Sequence, residues 1–122
     1  MATIQKFEDI VAWQKARELN KRIYLLTTNS AIAKDYGLRD QMRRCSISVM
    51  SNIAEGFERT GDKEFARFLS IAMGSCAELK SQLYAALDVG FITEMEFNSV
   101  VILVDETGKL IQSFRKYLRL TD

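Results

Sequence analysis

The stretch from residue 43 to residue 56 holds the side chains best suited to chemistry. Placed on a helix at 100° per residue, one of its faces is small and polar. That face consists of Arg44, Ser48, Ser51, Asn52 and Glu55. Such a face could hold and polarise a substrate, but the chain contains no histidine and so lacks the commonest general base. We therefore interpret the face as close-packed polar contacts between helices or between protomers.

Other catalytic classes find little support in the sequence. Cys45 and Cys76 are two thiols, whereas a structural zinc site usually has four ligands. Gly-Asp-Lys at residues 61–63 lacks the preceding glycine spacing of a Walker phosphate-binding loop. The carboxylates that lie near basic residues are interpreted as structural ion pairs; they are Glu55, Glu58, Glu64 and Glu78. We predict a non-enzymatic protein with no catalytic residue, no cofactor and no metal, and two buried cysteines that are not joined in a disulfide.

Two clusters of basic residues are candidates for contact with nucleic acid, since arginine suits phosphate recognition. They comprise Arg39, Arg43 and Arg44 in the first half of the chain and Arg115, Lys116 and Arg119 near its end. The net charge of +1 conceals an uneven distribution, with net charges of +3, −5 and +3 on residues 1–59, 60–106 and 107–122. This pattern is compatible with solvated helix faces that alternate in sign, or with a basic surface opposed by an acidic one. Tyr36 and Trp13 could stack on bases or could be packing residues.

These side chains are positioned by helices. The chain has 122 residues, 48% of them hydrophobic and 27% charged, and no proline, which favours long uninterrupted helices. Apolar residues recur at three- and four-residue intervals in four stretches, at about residues 10–28, 38–58, 63–89 and 94–120. Four amphipathic helices joined by short connectors predict an all-α fold, an antiparallel up-down-up-down four-helix bundle formed by residues 1–122 as a single domain.

Several residues indicate where these helices begin and end. Asp9 and Asp62 are predicted N-caps, and Leu38 is predicted to open the second helix after a connector at 31–37. Gly90 is well placed to end the third helix. Thr93 and Glu96 form a capping-box pattern for the fourth.

The second and fourth helices carry more apolar surface than one core requires, which is typical of association surfaces. The predicted contacts between protomers are Ile47, Ser48, Met50, Ser51, Ile71, Gly74, Leu103, Leu110, Phe114 and Tyr117. Gly74 is included because a glycine inside a helix costs about 1 kcal/mol relative to alanine, which suggests that a neighbouring backbone approaches there.

The sequence has no apolar run near the length of a membrane span, and its first residues lack the apolar segment of a signal peptide. We therefore expect a cytoplasmic protein with no membrane partner.

Several segments together resemble one protein family. They are FEDIVAWQKA at 7–16, YGLRDQMRR at 36–44, SNIAEG at 51–56, KEFARFL at 63–69, AMGSCAEL at 72–79 and GFI at 90–92. With these motifs the chain resembles the four-helix-bundle proteins encoded by intervening sequences of 23S ribosomal RNA genes. The resemblance covers most of the chain.

The resemblance implies a bundle that assembles as a ring-shaped homopentamer and is not catalytic. It also brings in a relative, the accessory variability protein of diversity-generating retroelements, which binds nucleic acid and reverse transcriptase and is markedly basic. Two hypotheses stay open at this point. The chain is either a self-assembling scaffold associated with RNA or DNA, with structured RNA as the expected partner, or a module that binds another protein and has no role with nucleic acid.

Overall fold

Four long helices make up most of the computed structural model, which describes residues 4–121 and the side chains up to residue 118. The helices are α1 (Val11–Asn29), α2 (Tyr36–Phe57), α3 (Asp62–Asp88) and α4 (Glu94–Thr121). Short 3-10 helices, Phe7–Asp9 and Ala31–Lys34, precede α1 and α2. Within residues 4–121 there is no β-strand, and the prediction of an all-α fold is confirmed.

Helices α1 and α2 begin one or two residues away from their predicted starts. Asp9 belongs to the 3-10 helix Phe7–Asp9, and Ile10 precedes α1 in extended conformation. Helix α2 begins at Tyr36 rather than Leu38, because the Asp35 carboxylate caps it by accepting a hydrogen bond from Leu38 N at 3.0 Å.

The connections on either side of α3 depend on glycine. Asp62 is the first residue of α3 and not its cap; the cap position is held by Gly61, whose φ of +88° is unfavourable for other residues. At the other end Gly90 has a φ of +78°. There Gly90 N bonds to Leu87 O and Phe91 N to Ala86 O, the paired bonds of a Schellman motif.

The capping box that opens α4 is confirmed. Thr93 N donates to Glu96 Oε1 at 2.8 Å, and Glu96 N donates to Thr93 Oγ1 at 3.1 Å. Two of the N–H groups at the start of this helix are thereby satisfied within four residues of sequence.

Contacts between neighbouring helices show that each pair is antiparallel. Along α1 and α2, Asn20 bonds to Ser46 while the later Thr27 bonds to the earlier Arg43. Pairs between α3 and α4 run in opposite order, as do those between α1 and α4; they are Tyr84–Phe97, Lys80–Asp105, Arg22–Ser99 and Lys15–Glu106. The helices therefore follow one another around the bundle in the predicted up-down-up-down arrangement.

The core is built from the stripes that the spacing predicted. On α2 Cys45, Val49 and Ile53, which follow one another at four-residue intervals, are buried. The largest fully buried side chains on α1, α3 and α4 are Leu19, Ile23, Leu69, Leu79, Leu83 and Ile111. Phe7 packs edge-on against the buried Trp13, with ring centroids 5.1 Å apart, so the chain before α1 is anchored to the bundle.

Helices α2 and α3 approach each other closely at Gly56 of α2. A Cβ atom there would lie 2.7 Å from Phe68 Cβ and 2.9 Å from Phe65 Cδ1, distances that real Cβ atoms do not sustain. A Cβ atom at Gly74 would meet no atom within 4 Å. Within the chain, then, the backbone approach expected at Gly74 takes place at Gly56.

Candidate nucleic-acid interface

The guanidinium of Arg43 is held in a fixed position between α1 and α2. Its Nε donates to Thr27 Oγ1 at 2.8 Å and its Nη2 to Thr28 Oγ1 at 3.0 Å. Both threonine hydroxyls donate to carbonyl oxygens one turn earlier on α1, which leaves their lone pairs available to accept from Arg43. The guanidinium also lies 4.6 Å from the centroid of the Tyr24 ring.

Arg43 forms no ion pair with any carboxylate among the residues that the structure describes. Its contacts are with hydroxyls and a ring, which orient the guanidinium without neutralising it. A half-buried, oriented and uncompensated arginine is well suited to bind an anion such as a phosphate.

Tyr36 and Arg39 form a second stacked pair on the same face of α2. The Arg39 guanidinium lies 4.7 Å from the centroid of the Tyr36 ring. It also pairs with Asp40 at 2.9 Å and donates to Ala33 O at 3.4 Å. Much of the charge of Arg39 is thus offset by Asp40, and its main contribution at this face is to brace the ring.

A shallow groove of about 550 Å³ continues this surface onto α1. It is lined by Asn20, Lys21, Tyr24, Leu25, Thr28 and Asn29. Lys21 is exposed, and it too has no ion-pair partner within the described part of the chain. We call the surface formed by Lys21, Tyr24, Tyr36, Arg39 and Arg43 the α1–α2 basic face.

The two basic clusters predicted from the sequence lie at opposite ends of the bundle. Arg43 contacts the last turns of α1, whereas Arg115 donates to Met73 Sδ at 3.8 Å and follows Phe114, which stacks on Phe65 near the start of α3. Lys116 is exposed. The side chain of Arg119 lies outside the described residues.

Arg44 lies on a different side of α2 from Arg43. It lines a cleft of about 350 Å³ between α2 and α3, together with Gln41, Cys45, Ser48, Ser75 and Glu78. In this cleft the Ser48 and Ser75 hydroxyls are hydrogen-bonded at 2.9 Å, and Asn52 Nδ2 donates to Ser48 O and Oγ. The polar contacts between helices expected on this face are therefore present. Further along the same face, Glu55 pairs with Arg59, which follows the end of α2, at 2.8 Å.

The two cysteines are buried and not joined in a disulfide. Burial raises the pKa of the Cys45 thiol to about 11 and that of Cys76 to about 12. Both thiols are therefore neutral at physiological pH and poor nucleophiles. Gln82 Nε2 donates to Cys45 Sγ at 3.5 Å, while the buried Gln82 Oε1 has no hydrogen-bond partner among the described atoms.

The residues predicted to contact other protomers differ in exposure. Ile47 and Ile71 are 41% and 42% exposed, and Ser51 and Tyr117 are also exposed. Ser48, Met50, Leu110 and Phe114 are half-buried. Leu103 is wrong as a candidate, because it is 5% exposed and belongs to the core, where it faces inward with Val104.

No group of three or more potential metal ligands comes together among the described residues. None of the helices in that part of the chain is long and apolar enough to cross a membrane.

The comparisons with known proteins decide the family. The model of the 23S rRNA-intervening sequence protein family matches residues 8–113. This chain is a 23S rRNA-intervening sequence protein. No match was found among curated proteins.

One solved structure is similar to this intervening sequence protein over nearly its whole length. It is the crystal structure of a protein of unknown function from the S23 ribosomal protein family of Bacteroides thetaiotaomicron. The sequences are 26% identical, the match covers 87% of this chain and 99% of the other, and the TM-score is 0.79. The four-helix fold is thus shared with an experimentally determined relative.

Sequence reasoning placed Arg43 in this intervening sequence protein's candidate interface but missed its partners. These partners are Thr27, Thr28 and Tyr24, all on the preceding helix. The sequence did contain a signal for this contact. An antiparallel helix pair brings the last turns of one helix next to the first turns of the following one, and these turns carry two adjacent threonines and an arginine.

Proposed function

We propose that this intervening sequence protein is a non-enzymatic, self-assembling helical bundle that binds structured RNA in the cytoplasm through its α1–α2 basic face. The observation that carries the proposal is the oriented, uncompensated guanidinium of Arg43. The family name, which ties its members to genes for 23S ribosomal RNA, supports RNA as the partner.

The arrangement of charge supports this surface over the rest of the bundle. Lys21 and Arg43 lie on one side without ion pairs, while residues 60–106 carry eight acidic and three basic side chains. The acidic residues of α3 and α4 disfavour approach of a polyanion from their side. A net charge of only +1 is therefore compatible with RNA binding, because binding is confined to one face of the protomer. Self-assembly would place several copies of that face on one particle.

Removing both unpaired charges of the α1–α2 basic face is expected to weaken RNA binding. For Lys21→Gln with Arg43→Gln we expect the affinity for a labelled 23S ribosomal RNA fragment to fall roughly tenfold or more at 0.1 M salt. The plot of log affinity against log salt should become shallower by about 1.4 to 1.8, since each lost phosphate contact removes about 0.7 to 0.9. Fluorescence anisotropy over a salt series measures both quantities.

The matched control is Lys63→Gln with Lys109→Gln, which removes the same charge from exposed positions on α3 and α4 that form no ion pair among the described residues. It should leave the affinity within about threefold of the original, because these lysines lie on the far side of the bundle. Arg115→Gln with Lys116→Gln tests the second basic cluster separately. Equal losses in all three variants, or no RNA retained by the unaltered protein at low salt, would refute the proposed interface.

We further propose that the exposed side of α2 and α3 around Ile47, Ile71 and Gly74 joins protomers into a homopentamer. Ile71 is exposed one turn before Gly74 on α3, where the missing side chain leaves open space, and Ile47 is exposed on α2. These residues offer apolar surface that another helix can approach. Ile47→Lys is expected to dissociate the assembly while helix content is kept, as judged by native mass spectrometry and circular dichroism. Met95→Lys, at an exposed position on α4, is the control and should leave the assembly intact.

The same exposed isoleucines favour a second candidate function, the binding of another protein without any role for nucleic acid. The two functions are distinguished by purification from a nuclease-treated lysate. One partner that is retained after nuclease and lost in Ile47→Lys favours the protein-binding module. If the protein is monomeric at micromolar concentration, the self-assembly proposal is refuted, and binding of another protein remains as the candidate function.

A further inference from the structure

Tyr36 is the most exposed aromatic residue in the described part of the chain. It is the first residue of α2, and 68% of its surface is accessible. The Arg39 guanidinium braces one face of its ring at 4.7 Å, and Asp40 in turn holds Arg39 at 2.9 Å. A tyrosine held in this way contributes little to the core, since its ring remains largely in water.

The spacing along α2 places this ring in line with the oriented charge. Tyr36, Arg39 and Arg43 are three and four residues apart and therefore share one face of the helix. Seven residues separate the ring from Arg43, which is about 10.5 Å along the helix axis at 1.5 Å per residue. That separation allows the ring and the charge to contact nearby nucleotides of one strand.

An exposed aromatic ring in line with an unpaired positive charge favours RNA with unpaired bases over duplex RNA. In a duplex the bases are stacked on each other, and the A-form major groove is too deep and narrow for side chains to enter. An unpaired base can turn outward and stack on an aromatic ring while its neighbours' phosphates contact basic side chains.

We infer that the α1–α2 basic face takes unpaired nucleotides of RNA, with one base stacked on Tyr36 and neighbouring phosphates bound by Arg43 and Lys21. The ligand class is therefore a single-stranded segment, such as a loop or bulge, rather than a continuous duplex. The inference rests on the proposed RNA-binding function and adds to it which part of an RNA is bound.

The test compares one labelled 12-nucleotide RNA strand, free or annealed to its complement, by fluorescence anisotropy with the full chain. The unaltered protein should bind the single strand more tightly than the duplex. Tyr36→Ala should weaken single-strand binding about tenfold and leave duplex binding unchanged, since loss of one base–aromatic stack is felt only by unpaired bases. Tyr36→Phe keeps the ring and should retain the original affinity.

The outcomes separate this inference from the proposed function. If Lys21→Gln with Arg43→Gln weakens both RNAs equally and Tyr36→Ala changes neither, the face binds phosphate only; the inference is overturned and the proposed function stands. If the unaltered protein binds neither RNA at low salt, the proposed function fails and the inference with it. Circular dichroism of Tyr36→Ala checks that the exposed position tolerates the change.

Discussion

Gly56→Ala is expected to lower the free energy of unfolding by about 2–3 kcal/mol, although alanine is the better helix former. The added methyl group would lie 2.7 Å from Phe68 Cβ, so α2 and α3 must move apart or their aromatic side chains must repack. Neither neighbouring atom can easily yield, because Phe68 Cβ is fixed to the α3 backbone and Phe65 is packed between Phe57 and Phe114. Chemical denaturation monitored by circular dichroism measures the change.

Gly74→Ala provides the matched control on the neighbouring helix. An added methyl group there meets no atom within 4 Å, so only the difference in helix propensity remains. We expect the free energy of unfolding of the protomer to rise by up to about 1 kcal/mol. A loss of stability in Gly74→Ala similar to that in Gly56→Ala would show that the close approach at Gly56 is not the cause.

Alkaline pH is expected to destabilise the fold through Cys76. Its thiol is buried, and burial raises its pKa from 9.0 to about 12. Between these values the unfolded chain has lost the Cys76 proton while the folded chain keeps it. The unfolded state then binds fewer protons, and the free energy of unfolding falls as pH rises from about 9 to about 12.

The Cys76 contribution is isolated by comparison with Cys76→Ala, because lysines and tyrosines titrate in the same range. From pH 8 to pH 10.5 the free energy of unfolding of the unaltered protein should fall by about 2 kcal/mol more than that of Cys76→Ala. This is the effect of one proton over the roughly 1.5 pH units between the ordinary pKa of the thiol and pH 10.5. Val104→Ala, a buried change without a titratable group, should lower stability at every pH and keep the original pH dependence. Parallel curves for Cys76→Ala and the unaltered protein would exclude ionisation of Cys76 as the cause.

The fold was largely predictable because its determinants are local. The apolar stripes are periodic over many turns, and the Thr93–Glu96 capping box places both of its partners within four residues. The start of α2 was placed two residues late because Gly37 was interpreted as part of a connector. A glycine in the first turn of a helix is tolerated there when a side chain such as Asp35 caps the preceding position.

The candidate interface was predictable only in part. Arg43 and Arg44 are neighbours in sequence, yet one contacts α1 and the other lines the α2–α3 cleft, since successive helical residues point 100° apart. Which of them is left without a carboxylate partner depends on neighbours from other helices. Likewise, the sequence shows that a helical glycine is costly but does not show what occupies the space beside it. In the structure that space is filled at Gly56 and open at Gly74.

The contact between α1 and α4 has a consequence for synthesis on the ribosome. Helices α1, α2 and α3 each pack against the next along the chain, so these pairs can form as soon as both members have been made. The Lys15–Glu106 and Arg22–Ser99 contacts join residues 91 and 77 positions apart. Until α4 emerges, the apolar sides of α1 and α3 that it covers have no partner within the nascent chain. The last of these four helices to be synthesised is therefore the one that closes the core.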